Sequence, residues 1–282
     1  MDIILVHIGK EYPIHIEDCI HQLKKYKLRI HLLISEVLIG RVPFNDIIVS
    51  KVEDYIDNRF SSFNIRNYDK NFRDGFWFST SARFFIIDEY TRRNNITNYF
   101  HVENDNLIYS DLTSIKEYFL NSNCDMFLVI DSETRCIPSI MFIKNCEISN
   151  RLCNHILRHP HLNDMENLFN FYKINADVDN LPIVPDDYSF EHDFSIDFSN
   201  HYDNMLSIFD GAAIGQYLGG VDPRNNPNNT IGFINETTVF NPSKFQYVWI
   251  NNEPYIINSN NLIKVINLHI HSKNLKKFMN HE

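Results

Sequence analysis

The chain has 282 residues, a net charge of −10 and 44% hydrophobic residues, enough for a substantial core in one large α/β domain or two small ones. The acidic balance argues against nucleic acid as the main partner, because a phosphate-backbone binder shows a basic footprint. Five cysteines (Cys19, Cys124, Cys136, Cys146 and Cys153) with no C-x-x-C pair point to free thiols rather than a disulfide or zinc framework.

The opening "MDIILVHIG" has too short an apolar run for a signal peptide, and no run reaches the roughly 20 apolar residues of a membrane span. A soluble, cytoplasmic protein is expected. In chain order, Ile3 to Ile8 reads as a buried parallel strand ending at Gly9. A helix over 16–26 follows, and "RIHLLIS" is a second buried strand. Strand, helix, strand in so short a span is a βαβ unit, which makes a parallel sheet. The segments "SKVEDYIDNRF" and "FWFSTSARFFIIDEYTRRN" read as helices, and "ITNYFHVENDNLIY" as a strand that ends in an acidic turn. "DLTSIKEYFL" reads as a helix, and "CDMFLVID" and "SIMFIKN" as strands. Helices are expected over 147–158 and 165–172, then a polar excursion over 176–206. The tail holds a glycine-rich helix, a hairpin around "WINNEPYII" and a strand, "VINLHIH".

Three stretches could carry chemistry. In "ENDN", Glu103 and Asp105 share one face if the strand continues, and both can reach a ligand just past its end. Carboxylates there suit Mn²⁺ or Mg²⁺, whereas a solvated strand-to-helix turn is the plainer reading of the motif alone. In "LHIHSK", His269 and His271 share a face, and Lys273 follows, placed to neutralise a diphosphate. The third stretch, "FDGAAIGQYLGG", spaces Gly211, Gly215 and Gly219 at i, i+4. Each glycine costs a helix about 1 kcal/mol relative to alanine, so one glycine face implies close approach of another backbone or a ligand. Asp210 stands at the N-cap position, as a plain cap or as a carboxylate at the edge of a cleft. Arg83, within "SARFFII", is either a paired structural residue or a phosphate or sugar contact, and Asp131 either a strand-end turn or an acceptor contact.

Together, the βαβ start, the "HVENDN" turn and the late "LHIHSK" resemble GT-A fold glycosyltransferases, with an E-x-D form of their D-x-D turn. The resemblance implies a mostly parallel sheet flanked by helices, with a small antiparallel element near the C-terminus. It implies one domain over 1–282, with a nucleotide-sugar half at 1–110 and an acceptor half with the metal-binding strand at 111–282. The donor would be a nucleotide sugar, UDP-sugar favoured, the acceptor a glycan or other hydroxyl, and the cofactor Mn²⁺ or Mg²⁺. Asp105 would bind the metal directly, Glu103 through water or by reaching the ribose, and His271 or His269 would complete the shell. His7, Gly9, Arg83, Glu103, Asn104 and Lys273 fall on the nucleotide side. An inverting enzyme would also need a base, for which Asp210 comes first and Asp222 second. The rival readings are a metal-dependent phosphoesterase or nucleotidyltransferase, and a non-catalytic nucleotide-sugar-binding protein.

Overall fold

The computed structural model describes residues 1–65, 72–226, 228 and 230–279. The chain opens with β1 (Asp2–His7), α1 (His15–Lys24) and β2 (Arg29–Ile34). Ile3, Ile4 and Leu5 of β1 are fully buried, as a run apolar on both faces requires. Next come β3 (Ile48–Lys51), α2 (Asn58–Ile65), α3 (Phe76–Arg93), β4 (Tyr99–Val102) and β5 (Asn106–Ile108). The middle supplies α4 (Lys116–Asn121), β6 (Met126–Ser132), β7 (Arg135–Ile143), α5 (Cys146–Arg158), α6 (Asp164–Ile174) and β8 (Val178–Leu181). The last part holds α7 (Tyr202–Met205), β9 (Ser207–Ile208), α8 (Ala213–Gly219), β10 (Gln246–Ile250), β11 (Glu253–Asn258), β12 (Asn261–Val265) and β13 (Asn267–His269).

Seven strands form the central sheet in the order β3-β2-β1-β4-β7-β6-β8. β1 is parallel to β2 and β4, β2 to β3, and β6 to β8, while β7 runs antiparallel to both β4 and β6. Helices α3, α5 and α6 pack on one another, with α3 against β1 and α6 against β7. Their starts are set locally: the Asn145 side chain accepts from two backbone N–H groups of α5, and Asn163 and Glu166 form a capping box on α6. A smaller sheet, β10-β11-β12-β9, carries the expected hairpin, and β13 returns to pair antiparallel with β5. The expected fold class, a mostly parallel sheet flanked by helices with a small antiparallel element near the C-terminus, is the one observed.

Three local expectations differ. Residues 50–60 are not one helix: Ser50 and Lys51 pair with Leu33 and Ile34 at the sheet edge, and α2 starts only after Asp57, whose carboxylate accepts from Phe60 N at 2.8 Å. The helix expected over 111–120 starts at Lys116, because Asp111 instead closes a turn through Thr113 N and Ser114 N. The stretch 176–206 contains β8, whose buried Asn180 donates to the Asp197 carbonyl at 2.8 Å. That bond is what lets a polar residue sit in a central-sheet strand.

Candidate functional site: an acidic turn and a histidine at the strand ends

The parallel strands β1 and β4 end at one edge of the sheet, where open α/β folds hold their ligands. The acidic turn sits there, between β4 and β5. Glu103 N donates to the Ser139 carbonyl at 2.9 Å, and Asn106 N closes the turn on the Glu103 carbonyl at 3.2 Å. The C-terminal strand is brought against it by polar links: Ile270 N donates to the Asp105 carbonyl at 2.9 Å. Asn267 Nδ2 donates to Asn106 Oδ1 at 3.0 Å and to the Asp210 carbonyl at 2.8 Å. The sequence offers Asn106 only as a cap of a solvated turn and does not single out Asn267, although an asparagine inside the apolar run "VINLHI" is its signal.

Glu103, Asp105 and His269 each present a ligand atom within 4.8 Å of the others, and Asp105 and His269 are buried. His269 Nδ1 lies against the Gly211 carbonyl, which can only accept, so that nitrogen carries the hydrogen. In the neutral ring, Nε2 then turns its lone pair toward Glu103 Oε2 at 3.3 Å and Asp105 Oδ1 at 3.2 Å. Three electron-rich atoms facing one another call for a positive charge, either a proton on the ring or a metal ion among them. A histidine whose far nitrogen donates to a carbonyl is also the usual outer support of a metal ligand. The donor set, two carboxylates and one imidazole, suits Mn²⁺ or Mg²⁺.

Of the two candidate histidines, His269 lies in this group. His271 is past the end of β13, with its ring 4.9 Å from that of His269. Its Nδ1 accepts from Gln216 Nε2 at 2.9 Å. Burial, followed by the neighbouring His269, pushes the His271 imidazole down to about 3.

Cations border the cluster. Lys273, in the left-handed region at φ 61°, pairs with Asp105 Oδ2, and burial pushes its ammonium down to about 8. Arg83 holds Glu103 Oε1 and reaches Asp164 Oδ2 at 2.7 Å, so its guanidinium is engaged with two carboxylates. Burial pushes the Glu103 carboxyl up, but Arg83 and His269 outweigh it and hold it at about 2. Asp164 was absent from the sequence reading.

On the β1 side, His7 Nε2 donates to the Glu11 carbonyl at 2.9 Å, and His7 Nδ1 lies 3.4 Å from Asn104 Nδ2. Asn104 Oδ1 in turn accepts from His15 Nε2 at 3.2 Å. Gly9 N donates to Ser35 Oγ at 3.0 Å. His15, absent from the sequence reading, is pushed down to about 4 by burial and then by Lys273.

The two acids considered as bases are held differently. Asp210 is fully buried; its Oδ1 accepts from Ile214 N at 3.0 Å, and its Oδ2 from Gly215 N at 2.8 Å and His269 N at 3.0 Å. Ala212, not Asp210, holds the N-cap position of α8; from two residues earlier Asp210 takes two N–H groups of the first turn and also anchors β13, so both of its oxygens are occupied by backbone. Asp222 pairs with Arg73 at 2.7 Å and Arg224 at 2.8 Å. Burial pushes it up, but hydrogen bonds from Arg224 and Arg73 outweigh that and hold it at about 2. Asp131, in β6, pairs across the hairpin with Arg135 at the start of β7, at 2.9 and 2.7 Å.

The expected three-glycine helical face is not formed: Gly211 lies before α8, and of the two glycines in the helix only Gly215 meets a backbone. A Cβ at Gly215 would lie 2.0 Å from the His269 carbonyl oxygen, and one at Gly219 would lie 3.2 Å from the Phe278 ring. The Gly215 contact allows α8 to press against β13 and so fixes where His269 stands.

No protein-family model and no curated protein sequence matches the chain. Among solved structures, the chain is similar to apo mouse xyloside xylosyltransferase 1, at 10% identity over 64% of this chain and 84% of that one, with a TM-score of 0.45. It is similar to the glycosyltransferase GlyE of Streptococcus pneumoniae TIGR4, at 15% identity over 64% and 44% of the two chains and a TM-score of 0.44. It is also similar to a Bacillus anthracis protein provisionally named a glucose-1-phosphate thymidylyltransferase, in complex with sucrose, at 12% identity over 64% and 85%, with a TM-score of 0.39. With TM-scores below 0.5 and identities of 10–15%, these likenesses carry no argument about fold family, activity or site residues. Among the described residues, no helix is long and apolar enough to cross a membrane.

Proposed function

We propose that the chain transfers a glycosyl group from a nucleoside diphosphate sugar, UDP-sugar favoured, to a hydroxyl acceptor, with Mn²⁺ or Mg²⁺ held by Glu103, Asp105 and His269. The supporting observation is the orientation of His269: its Nδ1 is committed to the Gly211 carbonyl, which leaves Nε2 facing two carboxylate oxygens at 3.2 and 3.3 Å. A bound divalent ion would supply charge neutralisation on the departing diphosphate.

The remaining groups have roles that follow from their partners. Arg83 fixes the Glu103 carboxylate from behind and keeps it ionised. Lys273 pairs with Asp105, and its ammonium would pair with a diphosphate oxygen if a divalent ion took that carboxylate. His7, Gly9, Asn104 and His15 shape the loop beyond β1 on the nucleotide side. Asp210 is a positioning residue that sets the height of His269 through its backbone N–H. Asp222, with Arg73 and Arg224, contributes a charged rim to the cleft.

The test compares two reactions of one protein preparation. With Mn²⁺ and a panel of UDP-sugars, the account expects release of UDP that a chelator abolishes and that Asp105→Ala lowers by at least about a hundredfold. Pyrophosphate release from UTP and a sugar 1-phosphate, with no UDP from UDP-sugars, would instead identify a nucleotidyltransferase.

A further inference from the structure

A cavity of about 430 Å³ opens beside the C-terminal end of β6, lined by residues of three separate segments, around 132, 188–194 and 234–244. Its size falls within the range of small-molecule sites. β6 is antiparallel to β7, which is antiparallel to β4, so β6 and β4 point the same way. The cavity therefore opens at the edge of the sheet that carries the acidic turn. The two are also joined through side chains. Asn235, in the cavity wall, donates to Gln216 Oε1 at 3.4 Å; Gln216 donates to His271 at 2.9 Å; and the His271 ring abuts that of His269.

The lining has a definite chemistry. Tyr188, Phe194 and Phe240 supply aromatic surface, and Glu133 and Glu236 supply carboxylates. The one lysine of the lining, Lys244, is paired with a third acid, Glu191, at 2.8 Å. Among the described residues the Glu236 carboxylate has no hydrogen bond or ion pair, so its acceptors are free for a ligand. Acids in excess repel phosphate and carboxylate groups, which excludes the nucleotide itself as occupant. Aromatic rings stack on the C–H faces of pyranose rings, and carboxylates and amides bind pairs of sugar hydroxyls.

We infer that this cavity is a saccharide-binding subsite for a neutral sugar, placed to present an acceptor hydroxyl to the metal-bound donor. The acceptor role rests on the transferase reading, whereas the sugar selectivity does not.

The experiment is saturation-transfer NMR on the full chain without metal or nucleotide. The probes are glucose, galactose, mannose, N-acetylglucosamine and lactose, with glucuronic acid, glucose 6-phosphate and lysine as charged comparisons. At least one neutral sugar is expected to bind, and the anionic sugars at least about tenfold more weakly. Phe194→Ala and the exposed, fold-neutral change Glu236→Gln should each weaken binding roughly tenfold, the loss of one stacking contact or one charge-assisted hydrogen bond. Silence from every neutral sugar overturns the inference, as does preference for an anionic sugar or for lysine, or indifference to both variants. Mn²⁺-dependent UDP binding is measured in parallel. Its absence alongside intact sugar binding would remove the transferase reading and leave a saccharide-binding pocket, whereas its presence without sugar binding would do the reverse.

Discussion

Gly215→Ala separates two physical effects of opposite sign. On helix propensity alone, alanine in α8 should stabilise the protein by about 1 kcal/mol. The structure predicts the reverse, because the new Cβ would sit 2.0 Å from the His269 carbonyl oxygen, 2.6 Å from its carbonyl carbon and 3.0 Å from Asp210 Oδ2. Ordinary van der Waals contact begins at 3.4 Å, so α8 and β13 must separate by about 1.4 Å, against backbone rather than a yielding side chain. Overpacking of this kind costs roughly 1–3 kcal/mol, and strain on the Asp210 bonds to Gly215 N and His269 N adds about 1 kcal/mol more. The net expectation is a loss of about 2–4 kcal/mol in urea unfolding, together with weaker Mn²⁺ binding, since His269 moves with its strand. Gly219→Ala, which meets only side chains, the Phe278 ring at 3.2 Å and Ser272 Oγ at 3.4 Å, should cost much less and serves as the control. A neutral or stabilising Gly215→Ala would refute the argument that Gly215 is a glycine in order to seat β13.

Other expectations follow from buried charge. Asp210→Asn should cost about 1–3 kcal/mol, because one oxygen facing a backbone N–H becomes an NH₂; turnover at saturating metal should persist, whereas a catalytic base would lose it. Arg83→Met strands Glu103 and Asp164 and should cost about 3–5 kcal/mol in chemical unfolding, with roughly 10–100-fold weaker Mn²⁺ affinity by calorimetry. His15, His101 and His155 are each pushed down to about 4, chiefly by burial, so they stay neutral in the folded chain while the unfolded chain binds protons below about 6.5. Stability is thus full above about pH 6.5 and falls between there and pH 4, by up to about 1.4 kcal/mol per pH unit for each ring, which urea midpoints at pH 7 and 5 will show. A flat profile across that interval would contradict neutral burial of the three rings.

Continuous apolar runs and clean helical periods were legible: β1, β2, α3, α5 and α6 appear where the patterns put them. Elements whose polar residues are satisfied from far along the chain were not. Asn180 of β8 depends on the Asp197 carbonyl, so "VDNL" reads as loop until that partner is known. The i, i+2 spacing singles out Glu103, Asp105 and His269, but not how they meet: the two acids stand in the turn after β4 rather than on a strand face. The choice between His269 and His271 was not legible, since β13 ends at His269 and strand alternation stops there. The engagement of Arg83 with Glu103, 20 positions away, and the capping of His269 N by Asp210 are likewise tertiary facts.

The central claim, a divalent ion shared by Glu103, Asp105 and His269, is tested most directly by electron spin-echo envelope modulation on the Mn²⁺-loaded protein. The account predicts ¹⁴N modulation from one coordinated imidazole, present in wild type and in His271→Gln and absent in His269→Gln. Mn²⁺ that binds without nitrogen modulation, or modulation that survives His269→Gln, would contradict it.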